Sequence, residues 1–214
     1  MSFINYASKE IQLKIVYYGC ARGGKTTNLE VIHELLGDNS KGDLTSLATD
    51  QDRTLFFDFM PLVAEAVKGF TTRFQMYTVP GQVRYNMTRK LVLRGVDGIV
   101  FVADSQWDKM KENVESFQNM VDNLNGQGND LSEIPYVLQY NKRDLENVAP
   151  VNYMEFMLNG GEELQPSISS VASEGDGVLE TLNMVSKIVL ARFIKQHGGD
   201  SESAKRKQEE MVIT

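Results

Sequence analysis

Residues 19 to 26 read Gly19-Cys20-Ala21-Arg22-Gly23-Gly24-Lys25-Thr26, and this stretch decides the fold. It follows an apolar run, residues 11 to 18, that is typical of a buried strand, and it precedes an amphipathic helical pattern. The spacing Gly-x-x-x-x-Gly-Lys-Thr between a strand and a helix is that of a phosphate-binding loop. The sequence therefore predicts an α/β domain that binds a nucleoside triphosphate.

The chemistry of this loop follows from its residue types. Its glycines let successive backbone N–H groups turn inward around an anion, and the following helix adds the positive end of its dipole. The Lys25 ammonium is expected to reach the β- and γ-phosphates, and the Thr26 hydroxyl is suited to ligate Mg²⁺. An ordinary glycine-rich turn is the alternative. The residues expected to bind the phosphates are Gly19, Ala21, Arg22, Gly23, Gly24, Lys25, Thr26 and Thr27.

The composition limits the class of protein. A chain of 214 residues with 42% hydrophobic and 24% charged side chains fits one compact domain. Its formal charge of −7, from 22 basic and 29 acidic residues, argues against a general nucleic-acid-binding role. Cys20 is the only cysteine, which excludes an intrachain disulfide. No apolar stretch approaches the roughly 20 residues that cross a bilayer, and no lipidation motif is present. We expect a cytoplasmic protein without a direct membrane anchor.

The hydrophobic pattern predicts alternating strands and helices. The apolar runs 98–103 and 135–140 are typical of central parallel strands, and helices are expected near 25–36 and 178–194. Between those two strands, helical spacing places Met110, Val114, Phe117, Met120, Val121 and Leu124 on a core face.

The sheet is expected to be mostly parallel, with six strands, one antiparallel edge strand and helices on both faces. The aromatic run 55–60 is interpreted as the antiparallel partner of a strand over 71–79, because the segment between them is too short for a crossover. Ligands of such a doubly wound fold bind at the carboxyl ends of the strands. We expect residues 1–196 to form this domain and the polar residues 197–214 to form a disordered tail.

A second motif, Asn141-Lys142-Arg143-Asp144, follows the strand that ends at Tyr140. A carboxylate at Asp144 can accept hydrogen bonds from both the N1–H and the exocyclic amine of guanine, which adenine lacks in that arrangement. Asn141 is expected to brace the base and the loop, and the Lys142 stem to pack on the base plane. A charged turn is the alternative. The motif predicts that the bound nucleotide is GTP or GDP.

A third segment completes the base-binding prediction. Val171-Ala172-Ser173 occupies the stretch where Ras-superfamily proteins usually carry Ser-Ala-Lys, so the backbone N–H of Ala172 is expected to face the guanine carbonyl. The usual flanking serine and lysine are absent.

Thr78-Val79-Pro80-Gly81-Gln82 stands where Ras-like GTPases carry Asp-x-x-Gly. Threonine in place of the aspartate, with proline before the glycine, resembles the MglA family of bacterial Ras-like GTPases. The chain is similar to this family from residue 1 to about residue 195, in particular over residues 1–6, 14–19, 52–59, 95–98 and 101–106. The resemblance implies a Ras-like P-loop GTPase fold.

The resemblance also implies roles for the residues that match the family pattern. Thr54 resembles the switch threonine that senses the γ-phosphate and that binds Mg²⁺ together with Thr26. Gly81 is expected to bind the nucleotide. Gln82 resembles the glutamine that orients the attacking water. Arg53 resembles an arginine finger supplied in cis, which together with Lys25 offsets charge on the transferring phosphoryl group. The alternatives are a surface charge for Arg53 and a polar residue after a turn for Gln82.

Partners follow from the same resemblance. MglA-like proteins are polarity switches that dock effectors at a cell pole in the GTP state, and an MglB-like roadblock homodimer stimulates their hydrolysis. The chain is therefore expected to concentrate at a pole through partners. Phe56, Phe57 and Phe59 could exchange between core and partner-facing positions, with plain core packing as the alternative.

Three functional hypotheses remain open on sequence alone. The first is a cycling small GTPase, and the second is a GTP-binding docking module with little hydrolysis. Ala21 favours slow turnover, because the family usually carries glycine there and a methyl group would crowd the approach of Gln82 or Arg53. The third hypothesis, a P-loop kinase acting on a metabolite, leaves residues 141–144 without a purpose.

Overall fold

The computed structural model describes residues 3–36, 45–46, 57–58, 64–67, 69–82, 85–161 and 163–197. The strands are β1 (Phe3–Asn5), β2 (Glu10–Gly19), β3 (Thr45–Ser46), β4 (Phe57–Asp58), β5 (Ala64–Val67), β6 (Phe70–Thr78), β7 (Gly98–Asp104), β8 (Tyr136–Asn141) and β9 (Ser167–Ser169). The α-helices are α1 (Lys25–Leu35), α2 (Asn86–Val92), α3 (Met110–Asn125), α4 (Val151–Leu158) and α5 (Val178–His197).

The main sheet is mostly parallel, as predicted. Its strand order is β5-β6-β2-β7-β8-β9, in which β6, β2, β7, β8 and β9 run parallel and β5 is the antiparallel edge. The short strand β1, which the prediction lacks, pairs antiparallel with residues 10–12 of β2. It fits there because β7 pairs with β2 only from Ile15 onward.

The predicted partner of β6 is wrong. Within the described residues β6 pairs with β5, whereas β4, from the aromatic run 55–60, pairs with β3 in a separate two-stranded sheet. The register Val67↔Phe70 leaves a two-residue turn whose second residue, Gly69, has a φ of 83°. Such tight turns favour glycine and join adjacent strands directly, so this local signal outweighs the strand propensity of the aromatic run.

Helices cover both faces of the sheet. One core layer contains side chains of α1 and α5, and the other contains side chains of α2, α3 and α4. Strand β2 supplies both layers in alternation, with Ile15 and Tyr17 on the first and Val16 and Tyr18 on the second. The predicted face of α3 is confirmed for Met110, Met120 and Leu124, which are buried, while Val114 and Phe117 pack against the same layer.

The end of α1 differs from the prediction. Leu29 and Ile32 are buried, and Leu35 is 54% exposed. Leu36 has extended backbone (φ −83°, ψ 136°), so α1 ends one residue before the predicted end at residue 36. Helix α5 continues to His197, and the rest of the predicted tail lies outside the described residues.

The parallel strands place their carboxyl ends on one edge of the sheet. Gly19, Thr78, Asp104 and Asn141 are the last residues of β2, β6, β7 and β8. Since the chain moves from one side of β2 to the other between β6 and β7, this edge is also where the topology switches direction. No helix in the described part of the chain combines the length and the apolar character needed to cross a membrane.

Candidate nucleotide-binding site

The loop between β2 and α1 has the backbone of an anion nest. Gly19, Arg22 and Gly24 have positive φ values of 144°, 58° and 102°, which turn successive N–H groups toward a common centre. A Cβ on Gly19 would lie 2.1 Å from the Val102 carbonyl oxygen of β7. The loop therefore approaches the neighbouring strand so closely that glycine is required at its first position.

Lys25 begins α1 with its ammonium held against the loop. Its side chain is buried, and Nζ donates to the carbonyl oxygens of Cys20 at 2.6 Å and Gly19 at 3.2 Å. Thr26 and Thr27 follow in the first turn of α1 and are half-buried. A fixed cation, a nest of N–H groups and a helix start fit a polyphosphate. The hydroxyl oxygen that Thr26 brings there is the hard donor type that Mg²⁺ prefers.

Asn141 joins the phosphate loop to the loop after β9. Its Nδ2 donates to the Gly23 carbonyl oxygen at 2.9 Å. Its Oδ1 accepts from the Ala172 N–H at 2.9 Å and from Ser170 Oγ at 3.1 Å. A Cβ on Gly24 would lie 2.1 Å from Asn141 Nδ2, so the side chain fits only over a glycine. The bracing role expected of Asn141 matches this geometry, whereas Ser170 was not identified from the sequence.

A cavity of about 250 Å³ lies beside this joint. Residues more than a hundred positions apart in sequence share its wall, because the segments that follow β2, β8 and β9 lie at the same edge of the sheet. Asp144 presents an exposed carboxylate to it, and the N–H of Ala172 points to Asn141 rather than standing open. The lining residues are Arg22, Gly24, Thr27, Asn141, Lys142, Asp144, Leu145, Ala172 and Ser173.

A buried carboxylate that sequence reasoning missed holds Lys142. Asp104 ends β7 and is fully buried, and its Oδ2 accepts from Lys142 Nζ at 2.5 Å. Its Oδ1 accepts from the Gln106 N–H at 3.1 Å. Lys142 has a φ of 65° and lines the cavity, and its ammonium is held by the Asp104 carboxylate. The position of Asp104 at the end of a predicted central strand was the signal that could have identified it.

The segment that carries Gln82 lies directly on the phosphate loop. A Cβ on Gly81 would be 2.3 Å from Ala21 Cα and 2.8 Å from Ala21 N. Gln82 is half-buried, and its carbonyl oxygen accepts from the Tyr85 N–H at 3.1 Å. The segment is therefore anchored on both sides.

Arg53, Thr54, Phe56 and Phe59 lie outside the described residues, and Phe57 belongs to β4.

Comparisons with known proteins agree with this arrangement. The model of the ADP-ribosylation factor family matches residues 1–189. The chain is 54% identical over 195 residues to the mutual gliding-motility protein MglA of Myxococcus xanthus (strain DK1622), covering 91% of this chain and 99% of that protein. It is 29% identical over 130 residues to human ADP-ribosylation factor-like protein 4A, covering 57% and 61% of the two chains. It is 23% identical over 181 residues to the Caenorhabditis elegans Ras-related protein rab-39, covering 85% and 74%.

Replacing Asn141 with alanine should weaken guanine-nucleotide binding by about 100-fold, since it removes three hydrogen bonds and leaves buried partners unsatisfied. Titration of a fluorescent GDP analogue measures the effect. Asn147→Ala, on an exposed side chain of the same connection, is the matched control and should bind like the wild type. Equal affinities for the two variants would contradict the role assigned to this joint.

Proposed function

Because the chain belongs to the ADP-ribosylation factor family and is a small GTPase of the MglA type, we propose that it acts as a guanine-nucleotide-dependent switch in cell motility and polarity. The observation that carries the proposal is the joint at Asn141, which ties the phosphate loop to the base-sized cavity. A cavity for a base and a nest for phosphates, fixed to one another, define a nucleotide site.

In this proposal the cavity selects guanine. The Asp144 carboxylate accepts from the N1–H and the exocyclic amine of guanine. A bound adenine would cover this exposed carboxylate without pairing it, which costs on the order of several kcal/mol. Lys142, held at its far end by Asp104, packs its stem against the base. The Ala172 N–H donates to Asn141 Oδ1, and we expect it to donate also to the guanine carbonyl oxygen.

The phosphates occupy the loop from Gly19 to Thr27, with Gly81 closing against it. Lys25 places a buried positive charge beside the β- and γ-phosphates. Thr26 and Thr54 would hold Mg²⁺, which when bound offsets the charge of these phosphates.

Hydrolysis needs an oriented water and a further positive charge. We assign the first role to Gln82 and the second to Arg53, which acts in cis. Gly81 closely approaches the Ala21 backbone. In this proposal the Ala21 methyl group narrows the space that Gln82 needs to orient the water. Intrinsic turnover is therefore slow, and the limiting alternative is a docking module that binds GTP with little hydrolysis.

A slowly hydrolysing switch requires a protein that activates hydrolysis and effector proteins that distinguish its GTP and GDP states. The relative named for mutual gliding motility suggests the process, and we propose a roadblock-fold homodimer of the MglB type as activator. Effectors that bind the GTP state would concentrate this cytoplasmic chain at a pole. Residues 1–196 form the GTPase domain in this scheme, and residues 197–214 are its tail.

Wild-type protein should bind GTP and GDP, and ATP should not compete. Asp144→Asn should lose about 100-fold in GTP affinity and gain affinity for xanthosine triphosphate, whose C2 carbonyl can accept from the new amide. Competition titrations with the three triphosphates measure this. Glu146→Gln, an exposed neighbour outside the cavity wall, is the control. ATP competing as well as GTP would favour the kinase hypothesis instead.

Ala21→Gly should raise the single-turnover rate of GTP hydrolysis about tenfold or more, because it removes the methyl group in front of Gln82. A quenched time course with radiolabelled GTP measures it. Gln82→Ala in both backgrounds should abolish the gain. Equal rates for the wild type and Ala21→Gly would refute the crowding argument.

Protein loaded with a non-hydrolysable GTP analogue should retain partners that GDP-loaded protein does not. Affinity capture with both forms, followed by mass spectrometry, identifies them. An added roadblock homodimer should accelerate hydrolysis in the same preparation. Identical partner sets in the two nucleotide states would be incompatible with a switch.

A further inference from the structure

Arg89, in helix α2, is a buried cation that the roles above do not use. It is 0% exposed and ranks first by volume among the fully buried side chains of the described residues. Helix α2 follows the Gly81–Gln82 segment in the chain, and that segment contacts the phosphate loop.

The guanidinium contacts the phosphate loop itself. Its Nη2 donates to Ser116 Oγ of α3 at 2.6 Å and, at the long distance of 3.5 Å, to the carbonyl oxygen of Gly19. That oxygen also accepts from Lys25 Nζ. The two cations therefore share one carbonyl group at the start of the loop.

No carboxylate of the described residues compensates this charge. The Nε and Nη1 atoms of Arg89 have no hydrogen-bond partner among the described residues. The guanidinium also lies over the Tyr18 ring, whose centroid is 4.3 Å from Cζ. Burial lowers the pKa of Arg89, but a guanidinium keeps its proton in proteins. A buried charge that only neutral groups solvate is costly unless an anion lies nearby.

The helix that carries Arg89 is fixed at its start. Asn86 Oδ1 accepts from Asn119 Nδ2 at 2.9 Å and from Asn123 Nδ2 at 2.8 Å, both on α3. The Tyr18 hydroxyl donates to Asn119 Oδ1 at 2.8 Å. These side-chain amides hold α2 against α3 and β2, so the position of the guanidinium is defined.

We propose that Arg89 is a positioning residue of the nucleotide site, which fixes the Gly19 carbonyl from behind the phosphate loop and whose buried charge stabilises the phosphate charges bound in front of it. This inference rests on the proposed function, because it requires that phosphates occupy the loop.

The charge gives the proposal a signature that packing alone would not produce. A charge–charge interaction through a protein interior grows with the number of phosphates, so it favours GTP over GDP and GDP over GMP. Because the guanidinium is buried, added salt screens this interaction only weakly. If the role of Arg89 were purely structural, its replacement would lower the affinities for all three nucleotides by one common factor.

The test compares GMP, GDP and GTP affinities of Arg89→Met with those of the wild type. We expect the variant to lose about tenfold more affinity for GTP than for GMP. Arg94→Met is the matched control, since it removes the same charge from an exposed residue before the opposite end of β7. It should keep the wild-type spread of affinities, as should Ser116→Ala, which retains the charge.

The outcomes separate this inference from the proposed function. A wild type that binds no guanine nucleotide defeats the proposed function and this inference with it. A folded Arg89→Met whose ratio of GTP to GMP affinity equals that of the wild type contradicts this inference alone. If Arg89→Met does not fold, Arg89→Lys is measured instead. A ratio of GTP to GMP affinity within about threefold of the wild-type ratio supports the role of the charge. A folded Arg89→Lys that loses this ratio overturns the proposal.

Discussion

One side-chain amide, that of Asn141, fixes the relation between the two halves of the nucleotide site. It bonds the phosphate loop through Gly23 and the loop after β9 through Ala172, so one side chain links the two loops. The contact sets a condition on a third position, because a β-carbon at Gly24 would occupy the space of the amide. In the proposed function, base and phosphates would then bind together without a separate cost of aligning the loops.

The sequence was sufficient where chemistry is local. Lys25 and Asn141 stand in short motifs whose strand and helix context is legible from apolar runs, and the parallel sheet follows from the same runs. Asp104 was not predicted as a site residue, because its role depends on the strand order, which places the end of β7 beside β8. The partner of β6 was misjudged because an aromatic run outweighed the short strand β5, whose pairing depends on the Gly69 turn.

The two faces of the sheet support the site differently. On the face of α1 and α5, a closed pair of amides joins Asn28 to Gln139, with distances of 2.8 and 2.9 Å, and Asn28 also donates to the Gly24 carbonyl oxygen. The groups that these two side chains bond are all neutral, and a fully hydrogen-bonded buried network of this kind is rigid. On the other face, α2 meets the loop through a charged guanidinium with unsatisfied nitrogens. The first face holds the loop in place, and the second leaves it responsive to charge.

The contact between Gly81 and the phosphate loop changes how related sequences should be interpreted. A β-carbon at position 81 would collide with the backbone of residue 21, not with its side chain, so the restriction is the same whatever residue stands at 21. Glycine at 81 is therefore demanded by packing and would persist in a relative that had lost hydrolysis. Its presence indicates that the loop and the strand end are in contact, and it carries no information about hydrolysis.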